Sequence, residues 1–145
     1  MSNSEKKYKR VFSVGCFDQF HYGHKKILTT MREYGDELII GIHDDSSIEK
    51  LKKLSPNAHK KLEDRLKDLK PYCDRIFIIN STDPTDALVG IISNNDNKEN
   101  SVFIRGDDNQ TFPGKKFVEN KISIHYLPYT ESVSATKIRK DLGLI

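Results

Sequence analysis

Tryptophan is absent from this chain of 145 residues, and cysteine and methionine occur only twice each. Cys16 and Cys73 stand far apart, without a CxxC pair or cysteine–histidine metal spacing. That pattern excludes a disulfide framework and a structural zinc site, and it fits a reduced compartment, so a cytoplasmic location is the expectation. No apolar run approaches the roughly 18 residues needed to cross a bilayer, and "MSNSEKKYKR" at the N-terminus has no apolar core. The chain is therefore expected neither to span a membrane nor to carry a secretion signal. Neither sign of charge dominates: 24 Lys and Arg face 21 Asp and Glu, a net +3 spread along the sequence. A nucleic-acid partner is not expected from so small and so scattered an excess, whereas a local anion site stays open.

What is present is an alternation. Short runs rich in Val, Ile and Phe, namely "RVFSVGCF", "ELIIGIHD", "RIFIIN", "SVFIRGDD" and "ISIHYLP", are separated by segments of helical periodicity. Such a pattern predicts an α/β fold, a five-stranded parallel sheet flanked by helices. In the first intervening segment Ile27, Leu28, Met31 and Tyr34 share a helical face, and "YGDE" ends that helix at Gly35. Further helices are expected at about 45–52, 59–71, 84–95 and 113–120, with a last one opening near Ser134. The length suits one domain, read as residues 10–145 behind a polar tail at 1–9. "NNDNKEN" reads as a solvated loop.

Open parallel sheets bind ligands at the carboxyl ends of their strands. Here that rule selects "GCFDQFHYGH", "HDDSSIEKLKK", "STDPTD", "GDDNQTFPG" and "PYTESVSATKIR". In the first of these, His21 and His24 lie three residues apart at a helix start, where free N–H groups and the positive dipole end welcome phosphate. Gly23 between them lets an anion come close. A lone histidine there is more often a structural cap, but the pair with glycine favours a polyphosphate. Lys50 and Lys52 fit either a solvated helix face or a phosphate contact. Asp107 and Asp108 beside Gly106 fit either a turn cap or acceptors for ribose hydroxyls. Ser134 and Thr136 precede a helical run, so they serve equally as caps and as phosphate ligands. Cys16 reads as a small residue in a tight turn.

Taken in order, these segments resemble the HxGH nucleotidyltransferase superfamily, and within it the small cytidylyltransferases for glycerol 3-phosphate, ethanolamine phosphate and choline phosphate. "GCFDQFHYGH" is similar to the HxGH signature, "KLKK" to the family's K-x-K, "RGDD" to its GDD, and "YTESVSATKI" to its RTxGISTT. The resemblance spans about residues 10 to 140 and implies a single Rossmann-like nucleotidyltransferase domain. It implies His21, His24 and Lys52 as the catalytic residues. Nucleotide contacts are implied for Gly15, Cys16, Phe17, Asp18, Tyr22 and Gly23, then for Arg105, Gly106, Asp107 and Asp108. Tyr129, Thr130, Ser132, Val133, Ser134, Ala135 and Thr136 complete that set. Lys50, Asp44 and Arg65 are implied as substrate contacts, with Lys60 and Lys61 as rivals of Arg65 for the family's basic helix residue.

The sequence also departs from the family pattern. Tyr129 stands where the motif's arginine leads RTxGIS, and Ser132 where its glycine follows. Tyrosine supplies no fixed positive charge, so either Arg105 or Arg139 replaces it or turnover is slow. No lysine occurs in "STDPTDAL", where glycerol-3-phosphate enzymes place one. Choline enzymes would want an aromatic cage for a quaternary ammonium, and with no tryptophan in the chain Tyr22, Tyr126 and Tyr129 are candidates for it.

The reaction implied is CTP plus a small phosphomonoester giving a CDP-alcohol and pyrophosphate. Mg²⁺ is expected to be held mostly by the nucleotide phosphates and water, with Asp18 nearby and no protein cage. Two other readings stay open: an adenylyltransferase using ATP, since "SVSATKIR" also resembles an ATP-using ending, and a weakly active nucleotide-binding regulatory module. Expected partners are the nucleoside triphosphate, a phosphorylated alcohol and a second copy of the chain, with a segment like "PYCDRIF" at the dimer contact.

Overall fold

A computed structural model describes residues 7–20, 22–106, 111–128 and 142. The positions outside these ranges include His21, Asp107, Asp108 and the whole Tyr129–Thr136 segment, together with Arg139 and the helix expected near Ser134. Within them lie five parallel strands: β1 (Tyr8–Gly15), β2 (Gly35–His43), β3 (Arg75–Ile79), β4 (Ser101–Gly106) and β5 (Ser123–Leu127). They form one sheet in the order β3-β2-β1-β4-β5. Helices α1 (Tyr22–Arg32), α2 (Asp45–Lys52), α3 (Leu62–Leu69), α4 (Thr85–Ile91) and α5 (Lys115–Lys121) alternate with them, and short 3₁₀ turns flank α3. The sequence runs thus become strands because a sheet covered on both faces needs apolar side chains at successive positions.

Strand alternation sorts those side chains onto the two faces. Val11, Leu38, Ile40, Val102 and Ile104 share one core with Leu28 and Met31 of α1 and Leu69 of α3. Phe12, Ile39 and Phe103 share the other with Leu88 of α4 and Val118 of α5. The buried polar exception in the central strand, Ser13, donates its hydroxyl to Ile104 O at 2.6 Å and so ties β1 to β4.

The helices expected over 59–71 and 113–120 run over Leu62–Leu69 and Lys115–Lys121, and three other boundaries differ for reasons visible in the contacts. β1 starts at Tyr8, inside the segment read as a tail, because Tyr8 N–H donates to Tyr34 O and Lys9 N–H to Asn100 O. The first helix stops at Arg32, and Gly35 is the first residue of β2 rather than a helix cap. A Cβ at Gly35 would lie 2.5 Å from a Val11 methyl and 2.8 Å from Tyr8 O, so glycine serves close strand approach here. The helix expected over 84–95 ends at Ile91, because Asp96 draws the chain into a turn. Its Oδ2 accepts from Ser93 N–H at 2.7 Å and from Arg10 Nη1 at 2.8 Å. Burial alone would raise the Asp96 carboxyl. The hydrogen bonds from Ser101 and Ser93, with the Arg10 charge, outweigh burial and hold it below the usual carboxylate range.

Candidate active site

Sheet order reverses between β1 and β4, and a crevice of about 470 Å³ opens at the carboxyl ends of the strands there. Gly15, Phe17, Asp18, His24, Lys52 and Arg105 are among the residues that line it. Of the residues expected at the site, these and Cys16 and Gly106 are brought together. Tyr22 opens α1 as an exposed residue, and Gly23 behind it is buried.

The turn after β1 has a local cause. Phe17 takes a left-handed backbone, φ +51°, as does Gln19 at +48°. For a bulky side chain this is a strained conformation, of the kind that collects at functional sites. It folds the Phe17 ring back over Gly15, where an added Cβ would come within 3.0 Å of that ring. The same ring then lies 5.5 Å from the His24 imidazole, with Phe20 at 5.4 Å and nearly parallel to it. Phe20 in turn contacts Tyr72 at 5.3 Å. Aromatic neighbours thus fix the imidazole at the crevice, beside the start of an 11-residue helix with no acid in its first turn. The positive dipole end of such a helix suits an anion.

Arg105 approaches from the opposite wall. Its guanidinium lies 4.4 Å from the Phe112 ring centroid, and Phe112 stacks on Phe103 at 5.3 Å and 12°. A cation on an aromatic face keeps its charge and its planar orientation. Lys52 contributes the second positive side chain, from the last turn of α2. Lys50 does not border the crevice, because residues two apart on a helix point about 200° apart.

Two expected substrate contacts turn out to be wall builders. Asp44 is the N-cap of α2, its Oδ1 accepting from Ser47 N–H at 2.9 Å. Arg65 is 0% exposed. Its guanidinium donates to Cys16 O at 2.9 Å, His43 O at 2.7 Å and Lys60 O at 2.9 Å, and to Asp45 Oδ1 at 2.9 Å. Every one of these partners belongs to the protein, so Arg65 sits behind the crevice and ties the ends of β1 and β2 to α2. The rivals divide similarly: Lys60 Nζ pairs with Asp68 at 3.0 Å, and Lys61 Nζ donates to Pro56 O at 3.2 Å. His59 reinforces the same wall, with Nε2 2.7 Å from Glu49 Oε2 and Nδ1 2.8 Å from Lys60 O.

Sequence reading passed over His43, which also lines the crevice. The signal was available: it is the one ring-bearing polar residue ending the apolar run "ELIIGIHD", at a strand's carboxyl end. Asp18 is 1% exposed, and its Oδ1 accepts Lys60 N–H at 2.8 Å. Among the described residues no three His, Cys, Asp or Glu side chains converge as a metal cluster, and no helix is long and apolar enough to cross a membrane.

Residues 12–141 match the family described as cytidylyltransferase-like. The chain is 34% identical over 137 residues to the glycerol-3-phosphate cytidylyltransferase of Bacillus spizizenii, covering 93% of this chain and 98% of that protein. It is 30% identical over 135 residues to the glycerol-3-phosphate cytidylyltransferase of Staphylococcus aureus, covering 92% and 95% respectively. A crystal structure of the lipopolysaccharide core biosynthesis protein from Thermoplasma volcanium shares the fold, with a TM-score of 0.66 at 19% identity over 85% of this chain and 98% of that one. Motif order, a parallel sheet with its crevice at the β1–β4 reversal, and a match over most of its length agree: the chain belongs to the cytidylyltransferase-like family.

Proposed function

We propose that this protein transfers CMP from CTP to a small phosphomonoester, releasing pyrophosphate. The observation that carries the reading is the trio of His24, Lys52 and Arg105 around one crevice at the head of α1. Attack by the acceptor's phosphate oxygen on the α-phosphorus forms the new P–O–P bond and breaks the bond to the leaving pyrophosphate. Such a step needs positioning and charge stabilisation rather than a covalent enzyme intermediate. His24 donates to phosphate oxygens as their charge grows, with His21 as its expected partner. Lys52 neutralises the triphosphate. Arg105 supplies the fixed charge that Tyr129 lacks, on the β4 side where the nucleotide is expected. The names of the relatives support glycerol 3-phosphate as the first acceptor to try.

A Mg²⁺ ion arriving with the triphosphate fits this donor set better than a protein-caged one, since Asp18 already accepts a backbone hydrogen bond. When bound it neutralises phosphate charge. The Phe17 and Phe20 contacts hold the His24 ring ready in either case.

The test is pyrophosphate release from CTP and from ATP in separate reactions with glycerol 3-phosphate. CTP supports turnover, and His24→Ala lowers it by roughly 100-fold or more, the usual cost of losing one transition-state donor. Equal activity in that variant, or a preference for ATP, contradicts the reading. Nucleotide binding without turnover for any phosphorylated acceptor would identify a regulatory module instead.

A further inference from the structure

His43 is 5% exposed and ends β2 at the crevice wall. Its Nδ1 lies 3.0 Å from Ser81 O, in the loop after β3. A carbonyl oxygen only accepts, so Nδ1 carries the proton, and the neutral ring then holds an unprotonated Nε2. Among the described residues Nε2 has no hydrogen-bond partner. Burial is the main cause that lowers the ring's pKa. The Ser81 bond and the Asp44 charge oppose it, while Arg65 and Lys52 act with it. His43 therefore presents a hydrogen-bond acceptor, in a crevice whose other polar side chains are mainly donors.

Placement says which substrate meets it. β2 and β3 lie on one side of β1, and β4 and β5 on the other. If Arg105 and Gly106 of β4 attend the nucleotide, as in the function proposed above, the β2–β3 side is left for the second substrate. There His43, Lys52, Thr82 and Pro84 form the wall. We propose that His43 Nε2 accepts a hydrogen bond from a hydroxyl group of the acceptor alcohol, which makes His43 a specificity-determining residue for a polyol phosphate. A quaternary ammonium has no hydrogen to donate. A primary ammonium would meet the positive Lys52, while the nearby carboxylates are engaged, Asp44 with its helix cap and Asp18 with Lys60 N–H.

The proposal rests on the transfer reading, so its test uses binding, which does not need turnover. Calorimetry compares glycerol 3-phosphate with propyl phosphate, which keeps the phosphate and lacks the hydroxyls, in the presence of α,β-methylene CTP. Two variants separate the role from folding. The amide of Asn can reproduce Nδ1–H and keep the Ser81 bond, whereas the longer Gln can return an acceptor to the Nε2 position. His43→Asn is expected to weaken glycerol 3-phosphate about tenfold, one hydrogen bond's worth, and to leave propyl phosphate and the CTP analogue unchanged. His43→Gln is expected to recover most of the loss. Equal losses for the two phosphate esters in His43→Asn, or no preference of the wild type for glycerol 3-phosphate, would overturn the assignment. Absence of pyrophosphate release by a wild type that shows this binding pattern would sink the transfer reaction and leave His43's role standing.

Discussion

Gly35 and Cys73 show how single residues answer to neighbours that sequence does not display. Gly35→Ala would press a Cβ against Tyr8 O, a backbone atom with no rotamer to yield. The substitution is expected to destabilise the fold by about 1–3 kcal/mol, read from a lower urea midpoint at unchanged slope. The Cys73 thiol lies 3.7 Å from Leu69 O, and burial, with the Asp74 charge, pushes its pKa up to about 11. It is expected to react with a thiol reagent at neutral pH far more slowly than a free cysteine in the same buffer. A glycine before a strand was legible in the sequence, but its reason was not. The atom that excludes a side chain belongs to β1, and only the sheet register brings it there.

Among the elements, α2 and α3 carry the lesson. The K-x-K pattern falls on α2, where helical geometry gives the crevice to Lys52 and solvent to Lys50. Lys52→Ala is expected to lower kcat/KM by roughly ten- to a hundredfold, the range for a charged hydrogen bond, and Lys50→Ala to change it little. Arg65 was visible as the basic residue of its helix. Its role was not, because three of its acceptors are carbonyls at Cys16, His43 and Lys60, which every residue possesses and no sequence distinguishes. Arg65→Met would leave those carbonyls and Asp45 without their donor, and the expected cost is about 3–5 kcal/mol. The short α4 has a similar explanation, since the Asp96 turn that ends it depends on Arg10 of β1, far away in sequence.

At the scale of the whole molecule the alternating architecture was legible because both faces of the sheet are covered, which writes each strand as a continuous apolar run. The strand order was not written in those runs. It follows from pairing, and it is the order β3-β2-β1-β4-β5 that puts His43 and Lys52 on one side of α1's start and Arg105 on the other. Two buried groups, His43 at the end of β2 and Asp96 in the turn before β4, also set the response to acid. His43 has a folded pKa below the usual 6.5, so below that pH the unfolded chain binds the extra proton; the His43 contribution is complete above pH 6.5 and is lost as pH falls. Asp96 has a folded pKa below the usual 3.8, so its contribution is complete above that value and is lost on stronger acidification. Thermal midpoints should therefore fall in two acid steps, and His43→Asn should remove the first alone.

The crevice joins CMP to a phosphomonoester. Phosphorus NMR of the wild type with CTP, Mg²⁺ and glycerol 3-phosphate reads that bond directly. Paired signals of a new diphosphate diester should grow in step with free pyrophosphate, and neither should form without the acceptor. Loss of CTP with no diester signal, as from simple hydrolysis, would contradict the account.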